Sequence, residues 1–386
     1  MLWLTHVTSS TQFWMEMVAR PWLVYQMTDS VFLLGLVQAL RTLPVFFFAA
    51  LGGLLADRMD RNRLYTVVRA VNAASIIGLT LLLLAGQLEV WHVFALTVLG
   101  GMANAMEFPI RQSLIPAVVP EADLMNAVAL NSLGRQATHL ASPAAAGLLI
   151  AAYGIAGCYV AQSALVVAST LFPYWIRAPR GSRAASEESL LQNVTGALTY
   201  LRGEEVVLTL LLLALAQRFF TGAWQTLFPV FARDILQVGE VGFGLLNSAV
   251  GAGAFLGALV IALSPFRRKG AVLLLGAGLQ ALGLVLFAYS PWFWLSMFLT
   301  LGIGIVQTGY FTMNNALLLA QVSEEYRGRV LSLYDMDRGL TMLGAVLLAW
   351  LANLAGAPMA LALLAAPMIP VAMVVAWRVP SLQKAD

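Results

Sequence analysis

Gly52-Gly53-Leu54-Leu55-Ala56-Asp57-Arg58-Met59-Asp60-Arg61-Asn62-Arg63 is a short polar stretch between two long apolar ones. The run before it, residues 30–56, carries Arg41 as its one base, and the run after it, 64–86, carries Arg69. About 20 consecutive apolar residues are the length a helix needs to cross a bilayer. Three arginines packed into the joint between two such runs mark a tight loop at a membrane face, on the side that collects positive charge.

Working outward, the same alternation fills the chain. Hydrophobic residues make up 60% of the sequence and charged residues 11%, against roughly 45–50% and about 25% in a soluble domain. Such a chain cannot cover a water-facing surface with polar groups, and lipid is the solvent that fits. Runs between charge and turn clusters predict twelve transmembrane helices: 3–28, 30–56, 64–86, 90–109, 124–152, 155–176, 206–234, 241–264, 270–289, 291–320, 329–355 and 358–377. The fold class is therefore an all-α membrane protein. No basic segment precedes the first apolar run, which is also too long for a signal sequence, so no cleavable signal is expected; the chain's true start upstream of Met1 is left open.

Orientation follows from the basic residues. Arg58, Arg61, Arg63, Arg69, Arg111, Arg177, Arg180, Arg183, Arg202, Arg267, Arg268, Lys269, Arg327, Arg329, Arg378 and Lys384 fall to one side, and only Arg233 to the other. The rich side is expected to be cytoplasmic, with both termini on it. The longest joint, 178–205, is basic at first; Ser186 then precedes Glu187 and Glu188, an N-terminal signal for a helix. Leu190, Leu191, Val194, Leu198 and Leu201 recur at helical spacing, which predicts an amphipathic helix on the membrane surface.

The halves on either side of this linker, 1–177 and 206–386, repeat. Arg111 to Glu121 (RQSLIPAVVPE) aligns with Asn314 to Glu324 (NNALLLAQVSE), and Arg135 with Arg338, at a constant shift of 203 (324 − 121 = 203; 338 − 135 = 203). Parallel six-helix repeats are one plan of secondary transporters, with the substrate site near the midplane.

The Gly52–Arg63 loop resembles the signature loop of the major facilitator superfamily: Gly53, then Asp57 four residues on, then Arg58 and Arg61. Pro21 to Ser30 (PWLVYQMTDS), Pro109-Ile110-Arg111-Gln112, Leu130-Asn131-Ser132, Phe228 to Asp234 (FPVFARD) and Tyr326 to Leu333 (YRGRVLSL) are similar to the bacterial exporter branch of that superfamily, the branch that includes the enterobactin exporter. The resemblance covers nearly the whole chain. It implies export of siderophores, drugs or other amphipathic compounds by proton antiport, and a cytoplasmic gate built from Gly53, Asp57, Arg58, Arg61 and the neighbouring Glu107. Asp57 is read as able to cap a helix N-terminus or pair with arginine. Two departures stand out. The Gly-Pro-x-x-Gly-Gly stretch usual in such exporters is here Ser142-Pro143-Ala144-Ala145-Ala146-Gly147, and the second-half counterpart of the signature loop, Gly257 to Ile261, has no acid.

Charges inside the spans are costly and point to pairing or to a polar cavity. Glu16, Asp335 and Asp337 are the candidate proton-coupling acids. Arg20, Arg41, Arg135, His139 and Arg338, with the aromatic residues Trp14, Trp224 and Tyr310, are the candidate substrate-cavity residues. Glu16 and Arg41 are expected about 16–18 Å from the outer face, at 1.5 Å per helical residue, and in reach of each other. For Arg218 and His139 a structural role is the favoured reading. The five arginines exceed the three acids, which points to a substrate with an acidic or catecholate-like group.

No nucleotide-binding glycine loop ending in Lys-Ser or Lys-Thr is present, the three histidines His6, His92 and His139 lack metal spacing, and Cys158 is the single cysteine. The expectation is a transporter rather than an enzyme, with no cofactor and no metal. Its partners are a small-molecule substrate, protons and the lipid bilayer; it is a monomer, does not bind nucleic acid, and sits in the inner membrane. An uncoupled facilitator, a lipid flippase or a membrane sensor on the same fold is the alternative that these residues leave open.

Overall fold

The computed structural model describes residues 1–58, 60–175, 200, 201, 203–264, 266–324, 326, 327, 330, 334 and 338–383; within these, the side chains of residues 46, 49–58, 61, 108, 113, 116, 117, 121, 174, 175 and 338 lie outside the description. The described chain is helical almost throughout: α1 Leu2–Thr28, α2 Val31–Arg58, α3 Arg61–Leu84 and α4 Val90–Val118. The next helix, Leu124–Leu171, holds one non-helical residue, Gly154 at φ 70 and ψ 176. That positive φ is open to glycine at no steric cost, and it divides the run into α5 (124–153) and α6 (155–171). Then come α7 Glu205–Thr221, α8 Gly239–Leu263, α9 Lys269–Ala288, α10 Phe293–Gln321 and α11 Arg338–Ala355; α12 comprises Ala357–Ala365 and Met368–Arg378. Among the described residues, eight helices are long and apolar enough to cross a membrane. The 178–205 linker and the amphipathic helix expected in it lie outside the described residues apart from 200, 201 and 203–205.

Three element ends differ from the sequence expectation. Helix α7 stops at Thr221 where the sequence predicts one helix to 234, and Trp224–Leu227, Phe228–Val230 and Phe231–Ile235 continue as short helical turns of changed pitch. Helix α4 does not stop at residue 109 but continues to Val118, so the Arg111 segment is helix rather than loop. The aspartate that caps α3 is Asp60, whose carboxylate accepts from the Asn62 and Arg63 amides at 3.0 Å. Asp57 instead falls in the last turn of α2; its side chain and those of Gly53, Arg58 and Arg61 lie outside the described residues.

The chain divides into two compact units, Met1–Ser186 with Gln237–Ser248, and Glu187–Leu236 with Ala249–Asp386. In the first, α1 lies along α5 and α2 along α4. Side chains hold the α1–α5 seam: Ser10 and Thr138 share a 2.7 Å hydrogen bond, and the Trp3 indole donates to the Leu130 carbonyl at 3.2 Å. Close approach of α2 and α4 depends on Gly101, where an added Cβ would sit 2.7 Å from the Arg41 carbonyl oxygen. In the second unit α8 and α10 meet the same way: a Cβ on Gly253 would lie 2.1 Å from the Leu301 oxygen. Small residues at such crossings let backbones touch where lipid supplies no hydrophobic drive between helices.

The outer surface suits a bilayer. Leu81, Leu212, Leu263 and Leu275 are more than half exposed, a pattern stable only against hydrocarbon. Trp91, Trp292 and Trp294 stand exposed at helix starts and Trp377 at a helix end, where an amphipathic ring prefers the interface.

Candidate functional site

The first unit carries a polar cluster built mainly on α1. Gln12, Glu16 and Arg20 lie at successive i, i+4 positions and therefore share one face. Glu16 and Arg20, each 3% exposed, form an ion pair. The other carboxylate oxygen of Glu16 accepts from Gln12 Nε2 at 2.7 Å. The glutamate is thus held by its own helix: one oxygen by a cation, the other by an amide. Arg20 keeps Nε buried without a hydrogen-bond partner.

Arg41 faces α1 from α2, but it does not pair with Glu16 as the sequence suggested. Its Nη1 lies 2.6 Å from the Met17 sulfur, and its guanidinium carbon stands 4.6 Å from the centre of the Phe13 ring. Its Nη2 is buried with no hydrogen-bond partner. Thioether and ring face are weak acceptors that offset little of the cost of burying a cation. The arrangement leaves two guanidinium groups and one carboxylate in close quarters, an excess of one positive charge.

Arg135 and His139 occupy successive turns of α5. The His139 ring stacks on Trp14 at 3.6 Å and 15°, which joins a titratable group to an aromatic wall on α1. Arg135 is exposed and has no carboxylate within ion-pair distance among the described residues. Asp335 and Asp337 lie outside the described residues, as does the side chain of Arg338.

Glu107, expected beside Asp57 and Arg61, is 7% exposed and pairs with Arg69 of α3 at 2.9 Å. The same guanidinium contacts the Ser169 hydroxyl of α6. Arg69, counted from sequence among the loop bases, is 1% exposed inside the helical unit. It binds three helices together and drops out of the charge asymmetry. Its acid partner sits on a different helix, so no local spacing reveals it.

In the second unit, Trp224 is buried edge-on against Phe228 and Phe287 at 4.9 and 5.9 Å. Tyr310 is equally buried, within the apolar core that includes Leu273, Leu274 and Met313. Both stand in packed cores. Arg218 lies 3.8 Å over the Phe311 ring. A buried chain that sequence reading did not single out runs from Gln217 Nε2 to Gln280 Oε1 at 2.8 Å and from Gln280 Nε2 to Thr221 Oγ1 at 3.3 Å. Among the described residues no cluster of side chains could hold a metal ion.

Intramembrane ion pairs on a helical frame this apolar point to a transporter, and the comparison with known proteins is specific. A family model described as "transmembrane secretion effector" matches residues 1–386. The chain belongs to this family of major facilitators. Its relatives include the staphyloferrin A transporter of Staphylococcus aureus, 24% identical over 89% of this chain and 86% of that protein. Macrolide efflux protein A of Streptococcus pyogenes is 24% identical over 85% and 83%, and the enterobactin exporter EntS of Escherichia coli O81 is 26% identical over 82% and 76%. The crystal structure of nucleoside transporter NupG superposes with a TM-score of 0.76 at 15% identity, covering 100% of this chain and 98% of that one; at that identity the likeness concerns the fold. The facilitator is a multi-pass membrane transporter, and these three relatives are a transporter, an efflux protein and an exporter.

Proposed function

We propose that this facilitator is a proton-coupled exporter of a small amphipathic anion, working by alternating access with twelve crossings in two six-helix repeats and both termini in the cytoplasm of an inner-membrane protein. The observation that carries the coupling is the Gln12–Glu16–Arg20 ladder with Arg41 beside it. Glu16 and Arg20 form a buried ion pair, and this ionised pair with Arg41 beside it is the state that takes substrate: the anionic group rests on Arg41 and a hydroxyl of the substrate donates to the Glu16 carboxylate. A proton that reaches Glu16 from the far side removes that acceptor and expels the substrate there, and its loss to the cytoplasm restores the ionised pair. Substrate and proton thereby exclude each other at Glu16, which is the elementary requirement of antiport.

The charge excess supports the anion. Arg41 and Arg135 have no carboxylate partner among the described residues, and arginine remains charged even when buried. Phe13 beside Arg41, and the Trp14–His139 stack, supply flat apolar surface for the rest of the molecule. That relatives carry the siderophore-related names staphyloferrin A and enterobactin agrees with this class. Asp57, with Gly53, Arg58 and Arg61, is proposed as the cytoplasmic latch on the strength of the signature loop.

Purified protein in proteoliposomes with an imposed pH gradient tests the reading. Catecholate and carboxylate siderophores should move in exchange for protons, cationic dyes poorly. Glu16→Gln should bind substrate yet lose the response to the gradient, and Arg41→Gln should weaken anion transport. Full gradient-driven transport by Glu16→Gln would overturn Glu16 as the coupling acid. Downhill flux indifferent to the gradient in the native protein would favour an uncoupled facilitator.

A further inference from the structure

A second polar feature lies far from this cluster in sequence, within the second unit. The end of α8, the start of α9 and the last turns of α10 enclose a pocket of about 510 Å³ lined by Ile261, Ser264, Phe266, Arg267, Lys269, Thr312, Met313 and Ala316. Its walls are apolar and its rim is basic. Among the described residues no carboxylate lines it, and neither Arg267 nor Lys269 has an acidic partner. Two cations on the wall of an apolar pocket repel each other unless an anion joins them.

The backbone adds donors at the same place. Helix α9 begins at Lys269 with no side-chain cap. The first amides bonded back into it are those of Ala271 and Val272, both to the Arg268 carbonyl, so among the described residues the Lys269 amide has no backbone partner at the positive end of the helix. The site therefore offers cationic side chains and a helix N-terminus at one level, with apolar walls next to them. A soluble anion uses the first of these; a lipid uses both.

We infer that this pocket binds the headgroup of an anionic phospholipid, its phosphate between Arg267, Lys269 and the start of α9, and its acyl chains against the apolar wall of Ile261, Phe266 and Met313. Basic pockets between transmembrane helices at the positively charged face suit such headgroups. The pocket belongs to this unit alone and does not depend on the transport reading.

The test uses the full chain in nanodiscs of phosphatidylcholine, with and without phosphatidylglycerol, followed by native mass spectrometry and thermal melting. Native protein should retain a phosphatidylglycerol molecule and melt at higher temperature when that lipid is present. Arg267→Gln with Lys269→Gln should weaken retention roughly tenfold or more and abolish the melting shift while keeping the melting point in pure phosphatidylcholine. Ala316→Trp, which fills the pocket and leaves both charges, should do the same, and this separates a pocket from diffuse surface attraction. Inorganic phosphate should neither displace the lipid nor raise the melting point. Equal retention by the double variant, or undiminished binding in Ala316→Trp, overturns the assignment; stabilisation by inorganic phosphate as strong as by lipid makes the site one for a free ion and overturns it too.

Discussion

Glu107→Leu isolates the buried pair that joins three helices of the first unit. Glu107 and Arg69 are 7% and 1% exposed and 2.9 Å apart. Removing the acid leaves the Arg69 guanidinium in the interior with Ser169 as its remaining partner. Breaking a buried pair from one side costs about 3–5 kcal/mol, because the surviving charge stays desolvated. Replacing both members by apolar groups of similar volume is often neutral. At about 2–4 °C per kcal/mol for a unit of this size, Glu107→Leu should lower the melting temperature in detergent by on the order of 10 °C. The double variant Arg69→Met with Glu107→Leu should recover most of that loss. Differential scanning fluorimetry of the four proteins, with circular dichroism to confirm helicity, gives the cycle. A Glu107→Leu protein that melts within about 2 °C of the native one would refute the reasoning, as would a double variant as unstable as the two single losses added together. If melting is unchanged while transport slows, Glu107 belongs to the gate that the signature loop implies rather than to the frame.

Three further outcomes are expected. Gly253→Ala should abolish the folded second unit, since its Cβ would meet the Leu301 backbone oxygen at 2.1 Å, whereas Gly302→Ala, with open space around it, should express and melt normally. Gln280→Leu should cost about 1–3 kcal/mol by leaving the Gln217 amide buried without an acceptor, and the double replacement of Gln217 and Gln280 by leucine should cost less than that single change in the same melting assay. Cysteines placed at Gly181 and Gly239 should be labelled from opposite sides of the membrane by an impermeant reagent; labelling of both from one side removes the proposed topology.

Sequence made the helical frame readable because each crossing must satisfy every backbone group within itself, so apolar length alone marks it. The i, i+4 relation of Glu16 and Arg20 was readable for the same reason, being local to one helix. What sequence could not supply was the pairing between helices. Glu107 looked free for the gate, and Arg69 looked like a loop base, because the contact that defines both crosses from α4 to α3. Arg41 and Glu16 sit at compatible depths, yet Glu16 is already held by Gln12 and Arg20, and depth carries no information on which neighbour wins. Trp224 and Tyr310 show the same gap: aromatic residues on a helix read alike whether they face a cavity or, as here, a packed core.

The two halves diverge most where the first is charged. At the shift of 203, Gly101 corresponds to Gly304 (304 − 101 = 203), and both meet a carbonyl oxygen of the helix they cross, of Arg41 at 2.7 Å and of Val250 at 2.5 Å. Glycine at that crossing serves the frame, and its recurrence supports the duplicated plan. Glu107 corresponds by the same shift to Tyr310 (310 − 107 = 203), which packs with Leu273, Leu274 and Met313 where the first unit holds an ion pair. A pair of opposite charges in a bilayer protein is no more stabilising than a well-packed apolar cluster of equal volume, so the frame did not require it. Its presence in one half ties the position of α3, α4 and α6 to a single charged contact, next in the chain to the signature loop that enters α3. An apolar cluster slides with small loss when helices shift, whereas an ion pair is either made or broken. The first half therefore has a contact with two discrete states in the region where the gate is proposed, and the second half has a continuous core. If the gate works through that contact, Arg69→Lys, which keeps the charge but cannot reach Glu107 and Ser169 together, should slow transport more than it lowers the melting temperature. Equal and small effects on both would leave the pair as structure alone.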